Sequence, residues 1–173
     1  MFNLVQLMGQ YLGLIRGQGQ LIDIFTTNSA GQPMGRKQSV EAVMGKGLAG
    51  DRYFTESGYW YPVEACQVTL ISEHDIQLAE RGSSFDFKNG CHRRNLVVGG
   101  IKTKILEGKV FRIGEAVFEY DKKRPPCGYL NKIEGKGMAL ALSYNSGVCI
   151  NVLQSGKISV GDKVEVIEKG KRK

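Results

Sequence analysis

The chain has 173 residues, of which 42% are hydrophobic and 24% charged. That composition fits one globular domain with a sizeable core and argues against a disordered or fibrous protein. A surplus of 24 basic over 17 acidic residues gives a charge of +7, which admits an anionic partner without choosing between nucleic acid, a phosphate-bearing ligand and plain solubility.

Residues 1–18 read as an amphipathic helical extension. Leu4, Met8, Tyr11 and Ile15 recur at helical spacing, and Gly9 and Gly13 weaken the helix in isolation. The run is too short to cross a bilayer and lacks the cations of a membrane-surface helix. It is expected to pack on the body of the domain or on a second subunit, which allows a homodimer.

From Gly19 the signals are mostly β. Gln20–Thr27 reads as a strand ended by turn residues, and Glu41–Met44 as a short extended piece. Gly45-Lys46-Gly47-Leu48-Ala49-Gly50 spells a phosphate-loop pattern, but no helix follows it. The glycines are therefore read as sharp turns between strands, not as a dinucleotide site. Tyr53, Phe54, Tyr59, Trp60 and Tyr61 cluster around one loop, expected to wall a pocket or pack against the domain. Cys66–Ile71 is a clear strand, and Ser72-Glu73-His74-Asp75 opens a helix through Arg81 with Gly82 as the stop. Arg94–Val98 is the next strand, closed by Gly99-Gly100. Val110–Ile113, Ala116–Tyr120, Val148–Leu153 and Lys163–Ile167 complete a series of short strands, with tight turns at Gly114 and Gly161. The pattern predicts a mainly β fold, a closed or nearly closed barrel with one or two peripheral helices. It occupies residues 19–168, and the basic tail 169–173 follows.

The four cysteines, Cys66, Cys91, Cys127 and Cys149, form no CxxC and no paired ligand spacing beyond Cys91-His92. A structural zinc site and a disulfide framework are both disfavoured, and a reducing cytoplasm fits best. Cys127 stands in Lys122-Lys123-Arg124-Pro125-Pro126-Cys127-Gly128. Cations upstream favour a thiolate, the prolines stiffen the approach, and the glycine opens room for a ligand. Read alone, this pattern also fits a buried, inert cysteine beside a solvated charge run. Arg93-Arg94-Asn95, heading a strand, offers two guanidinium forks and an amide to a phosphate or a heterocycle edge. Asp51-Arg52-Tyr53 offers another charged loop in which the aspartate could simply cap a turn. His92, beside the arginines, is a candidate on the ligand side, whereas His74 lies in the first turn of a helix.

The ordered pieces resemble the MOSC domain, the family named for the C-terminal part of molybdenum-cofactor sulfurases. They are Pro33-Met34, Gly47–Tyr53, Gln67–Ser72, Arg94–Ile101, Leu106-Glu107-Gly108, Phe111–Ala116, Pro126-Cys127 and Gly156–Asp162, and the likeness spans about residues 19–167. The resemblance implies a barrel around a molybdopterin site, with Cys127 as metal ligand or sulfur carrier. It implies Arg94 and Asn95 on the pterin phosphate or ring, joined by Asp51, Arg52 and the adjacent Arg93. It implies either a reductase component for N-hydroxylated compounds or a sulfur-carrying protein, served by an external electron-transfer partner or sulfur donor. The chain departs from the family pattern at Cys66 and near Cys149, where basic residues are usual. Both are read as core cysteines. Two alternatives stand beside this reading: a basic barrel binding single-stranded nucleic acid, disfavoured because no cation lies between Tyr53 and Tyr61, and a cofactor-free interaction module.

Overall fold

The computed structural model describes residues 17–169. The expectations for the helical extension and the basic tail lie largely outside that range, although Gln18 and Lys169 already belong to strands. The strands are β1 (Gln18–Thr26), β2 (Gly35–Lys37), β3 (Ser39–Val43), β4 (Gly47–Leu48), β5 (Val68–Ser72), β6 (Leu96–Gly99), β7 (Lys109–Ile113), β8 (Ala116–Lys123), β9 (Val148–Gln154), β10 (Gly156–Ser159) and β11 (Lys163–Lys169). Between them lie α1 (Glu73–Glu80), α2 (Thr103–Leu106), α3 (Gly128–Glu134) and α4 (Met138–Leu142).

Seven strands close a barrel in the order β1-β11-β7-β8-β9-β5-β6, with β6 returning to β1. Closure satisfies the backbone groups that an open sheet would expose at its edges. β2 extends the sheet beyond the end of β1, and β10, β3 and β4 form a small second sheet. All barrel pairs are antiparallel except β5–β6. A parallel pair needs a long crossover, and here that connection carries α1.

The burial pattern explains why β5 and β6 read as continuous apolar runs instead of alternating. Leu70, Leu96 and Val98 point into the barrel with Leu21, Phe111, Phe118 and Ile150. Ile71 and Val97 belong to a second core, with Phe25, Phe87, Leu130, Met138 and Leu142, between the barrel wall and the helices. These strands are therefore covered on both faces.

Ser72 caps α1 as expected. Its hydroxyl oxygen accepts from the Asp75 amide at 3.2 Å, and Oγ lies 2.8 Å from Asp75 Oδ2. The backbone amide of Ser72 instead donates to Thr103 Oγ1 at 2.8 Å, which ties α2 to the same corner. Gly47 has φ +114°, and a Cβ there would collide with the Gln67 carbonyl. Gly45 and Gly50 hold positive φ in open turns, as the sequence implied, whereas Gly47 marks a close crossing of two chain segments that the sequence did not announce. The four helices exceed the one or two expected from sequence. α2, α3 and α4 have seven residues or fewer, and Gly135 and Gly137 separate the last two, so none spans enough turns to display helical periodicity. Among the described residues no helix is long and apolar enough to cross a membrane.

Candidate functional site

Three loop segments meet beside the barrel: the stretch after β4, the residues entering β6, and the residues leaving β8. Asp51 organises the first. Its carboxylate is fully buried and accepts from the amides of Thr27 (3.1 Å) and Tyr53 (3.2 Å) and from Arg52 Nη1 (3.3 Å). Held this way, Arg52 lies 4.4 Å from the Tyr53 ring centroid and donates through Nη2 to the Arg93 carbonyl at 3.0 Å. Burial opposes the charge on Arg52, but Tyr53 and Asp51 outweigh it and hold its pKa above the usual arginine value.

The second segment turns sharply because Arg93 adopts φ +62°, an unusual conformation for a residue with a side chain. Successive side chains then diverge. Arg93 Nη1 donates to the Gln32 carbonyl and to Glu134 at 3.3 Å. Arg94 donates from Nε to the Ser146 carbonyl, and from Nη2 to Ser146 Oγ at 2.6 Å and the Arg124 carbonyl at 3.5 Å. Its Nη1 has no hydrogen-bond partner among the described residues. Burial pushes Arg94 down to about 10, with Arg124 and Arg52 adding to the shift, and it remains a cation at neutral pH. Asn95 faces the strands instead. Its Oδ1 accepts from the Thr69 amide (3.0 Å) and hydroxyl (2.9 Å), and its Nδ2 donates to the Phe25 carbonyl (3.0 Å). His92 is fully buried, accepts the Arg94 amide at Nδ1 (2.9 Å) and has its Nε2 unpartnered. Burial, helped by Arg94, lowers its pKa to about 3, so it is a neutral turn-former for Arg94.

The third segment carries Arg124 to Cys127. The three cations ahead of Cys127 are engaged sideways. Arg124 and Lys122 pair with Glu64 at 3.0 and 3.5 Å, and Lys123 approaches Glu107 at 3.9 Å. Arg124 and Lys122 also press on a different cysteine. Cys66 Sγ lies 2.7 Å from Cys149 Sγ, both thiols being buried and free. The hydrogen bond from Cys66, together with Arg124, Arg94 and Lys122, lowers the Cys149 pKa; burial and Cys149 itself raise that of Cys66. Cys127 is half-buried, immediately precedes α3 and makes no capping hydrogen bond with its side chain.

A cavity of about 860 Å³ opens where the segments meet, a size suited to an organic cofactor. Arg52, Arg93, Arg94 and Arg124 line it together with Cys66 and Cys127. The aromatic loop forms a wall: Tyr59 stacks on Tyr129 at 3.7 Å and meets Trp60 edge-on at 5.0 Å. Of the residues singled out from sequence, Arg52, Arg93, Arg94 and Cys127 thus share one cavity. Asp51 and Asn95 do not line it; they brace the residues that do. Sequence reading missed Ser146, which anchors Arg94, and the contact between Cys66 and Cys149. Arg124, expected from sequence to act on the Cys127 thiol, is also part of the cavity wall. Among the described residues no group of three or more histidine, cysteine, aspartate or glutamate side chains is placed to cage a bare metal ion.

Comparison with known proteins agrees with the fold. The family model for the MOSC domain matches residues 49–165, more than half of the chain. YflK of Bacillus subtilis is 33% identical over 88 residues, a match covering 49% of this chain and 40% of that protein; less than half of that relative's length is therefore represented. Among solved structures, the YuaD protein of Bacillus subtilis is similar with a TM-score of 0.71 and 15% identity, covering 86% of this chain and 95% of that one. YiiM of Geobacillus stearothermophilus gives a TM-score of 0.62 and 18% identity, over 87% of this chain and 75% of that one.

Proposed function

The chain belongs to the MOSC domain family, a family associated with the molybdenum cofactor, and from that membership we propose that the cavity binds a molybdopterin-type cofactor with Cys127 beside its metal. One observation carries the reading: Arg52, Arg93, Arg94, Arg124 and Cys127 wall the same cavity. Guanidinium groups suit a phosphate, and a soft sulfur donor suits molybdenum. A lone thiol also suits a metal that arrives already held by an organic ligand.

In this reading Arg94 and Arg124 hold the phosphate end, because Arg94 keeps donors beyond its bonds to Ser146 and, among the described residues, the Arg124 guanidinium pairs with Glu64 alone. Arg52 and Arg93 are tethered by Asp51 and Glu134 and supply field more than contacts. Asp51, Asn95 and His92 are positioning residues. Tyr59, Trp60 and Tyr129 offer a wall for a planar ring and exclude water from one side. When bound, the cofactor would supply two-electron chemistry at its metal. The aromatic wall favours a reductase component for N-hydroxylated compounds over a sulfur carrier, since a sulfur relay needs no surface for an organic substrate. Electrons for that reduction would come from a partner.

Expression of the full chain in a molybdenum-replete host tests the proposal. Molybdenum and an oxidisable, fluorescent pterin are expected to copurify in equal amounts. Folded protein that carries neither would overturn it.

A further inference from the structure

We propose that Cys66 and Cys149 form a redox-active dithiol at the floor of the cavity, which exchanges with a small anionic disulfide and closes to an internal disulfide. This does not rest on the molybdopterin reading. The fold brings the two sulfurs together from positions 83 residues apart. Cys149 sits in β9 opposite Thr69 of β5, and Cys66 lies just ahead of β5. At 2.7 Å the sulfurs are closer than two unbonded thiols rest, and a bond between them, about 2.05 Å, needs only a small approach.

The pair is asymmetric in access and in charge. Cys66 lines the cavity, whereas Cys149 lies behind it with no exposed surface. Arg94, Arg124 and Lys122 are the cations that act on Cys149, and they favour its thiolate. The arginine-lined cavity in front would concentrate an anionic disulfide over a neutral one. Among the described residues, the one further hydrogen-bond partner of either sulfur is the Val68 carbonyl, 3.6 Å from Cys66 Sγ.

The chemistry then has a defined order. Cys66 passes its proton to the Cys149 thiolate and attacks one sulfur of the incoming disulfide. A Cys66 mixed disulfide forms, and the first small thiol departs as thiolate, taking back the proton held by Cys149. Cys149 then attacks Cys66 Sγ, expelling the second small thiol, which takes its proton from solvent. Two protein thiols are oxidised by two electrons, one disulfide is reduced to two thiols, and no other reactant is needed.

Oxidised glutathione is the probe, added to the reduced full chain at neutral pH, followed by acid quench, alkylation and peptide mapping without reduction. Wild type is expected to yield a Cys66–Cys149 linked peptide that dithiothreitol reverses. Cys149→Ser is expected to trap a glutathione adduct on Cys66, and Cys66→Ser to leave Cys149 unmodified. Uncharged hydroxyethyl disulfide is expected to react at least tenfold more slowly. The proposal fails if wild type keeps Cys66 and Cys149 as thiols while Cys91 or Cys127 reacts, a result that needs neither variant to fold. An adduct on Cys149 in Cys66→Ser would overturn the order of attack, and equal rates with the two disulfides would overturn the anionic preference.

Discussion

Arg94 and Asn95 are adjacent, both buried and both hydrogen-bonded, yet they serve different regions of the molecule. Asn95 uses its oxygen and its amide nitrogen to join Thr69 and Phe25, so it belongs to the barrel. Arg94 anchors one edge of its guanidinium on Ser146 and lines the cavity. Asp51 and Arg52 repeat the division on the facing loop: the carboxylate is enclosed by backbone amides, and the guanidinium reaches the cavity. A polar motif at a strand head therefore splits residue by residue into a brace and a wall. Hydrogen-bond partners distinguish the two, whereas burial alone does not.

That division has measurable consequences. Asn95→Ala strands the Thr69 amide and the Phe25 carbonyl in a dry interior, which is expected to cost about 3 kcal/mol in urea unfolding. A loss under about 1 kcal/mol, accompanied by lost ligand binding, would move Asn95 from brace to wall. Asp51→Ala is expected to cost about 2 kcal/mol by leaving the Thr27 and Tyr53 amides unpaired.

His92 gives the brace a pH signature. Its pKa falls from the usual 6.5 to about 3 in the folded protein, so between those values the unfolded chain binds more protons. Its contribution is complete above pH 6.5 and is lost as pH falls, by up to about 1.4 kcal/mol per unit. Urea midpoints measured from pH 7 to 4 should show this slope in wild type and a shallower one in His92→Asn, which keeps an acceptor near the Arg94 amide but does not titrate. Matching slopes would remove His92 from the account. Arg124→Ala should change stability least, by under about 1 kcal/mol, because its partner Glu64 is partly exposed. It should nonetheless weaken binding of inorganic pyrophosphate about tenfold by isothermal titration, and unchanged affinity would detach Arg124 from the wall.

The barrel was legible because its strands are short, apolar and separated by turn residues such as Gly114 and Gly161, which hold positive φ. The run Gly128–Leu142 was not, since helices this short carry no clear period. Within the candidate site, local motifs pointed to Arg52, Arg94 and Cys127 but could not say which neighbour faces the cavity. That depends on the left-handed turn at Arg93, which residue type alone does not announce. The pairing of Cys66 with Cys149 was hidden for a different reason. Each looks like a core cysteine, and only the register of β5 against β9, with Cys66 just ahead of β5, brings them together.

The central claim is that Cys127 stands at the metal while the arginines hold the organic part of the cofactor. The most direct test is the molybdenum-to-pterin ratio of the full chain and of Cys127→Ser, each purified from a molybdenum-replete host. The account expects pterin in both proteins and at least a tenfold lower molybdenum content in the variant. Equal, substantial molybdenum in the two would contradict it.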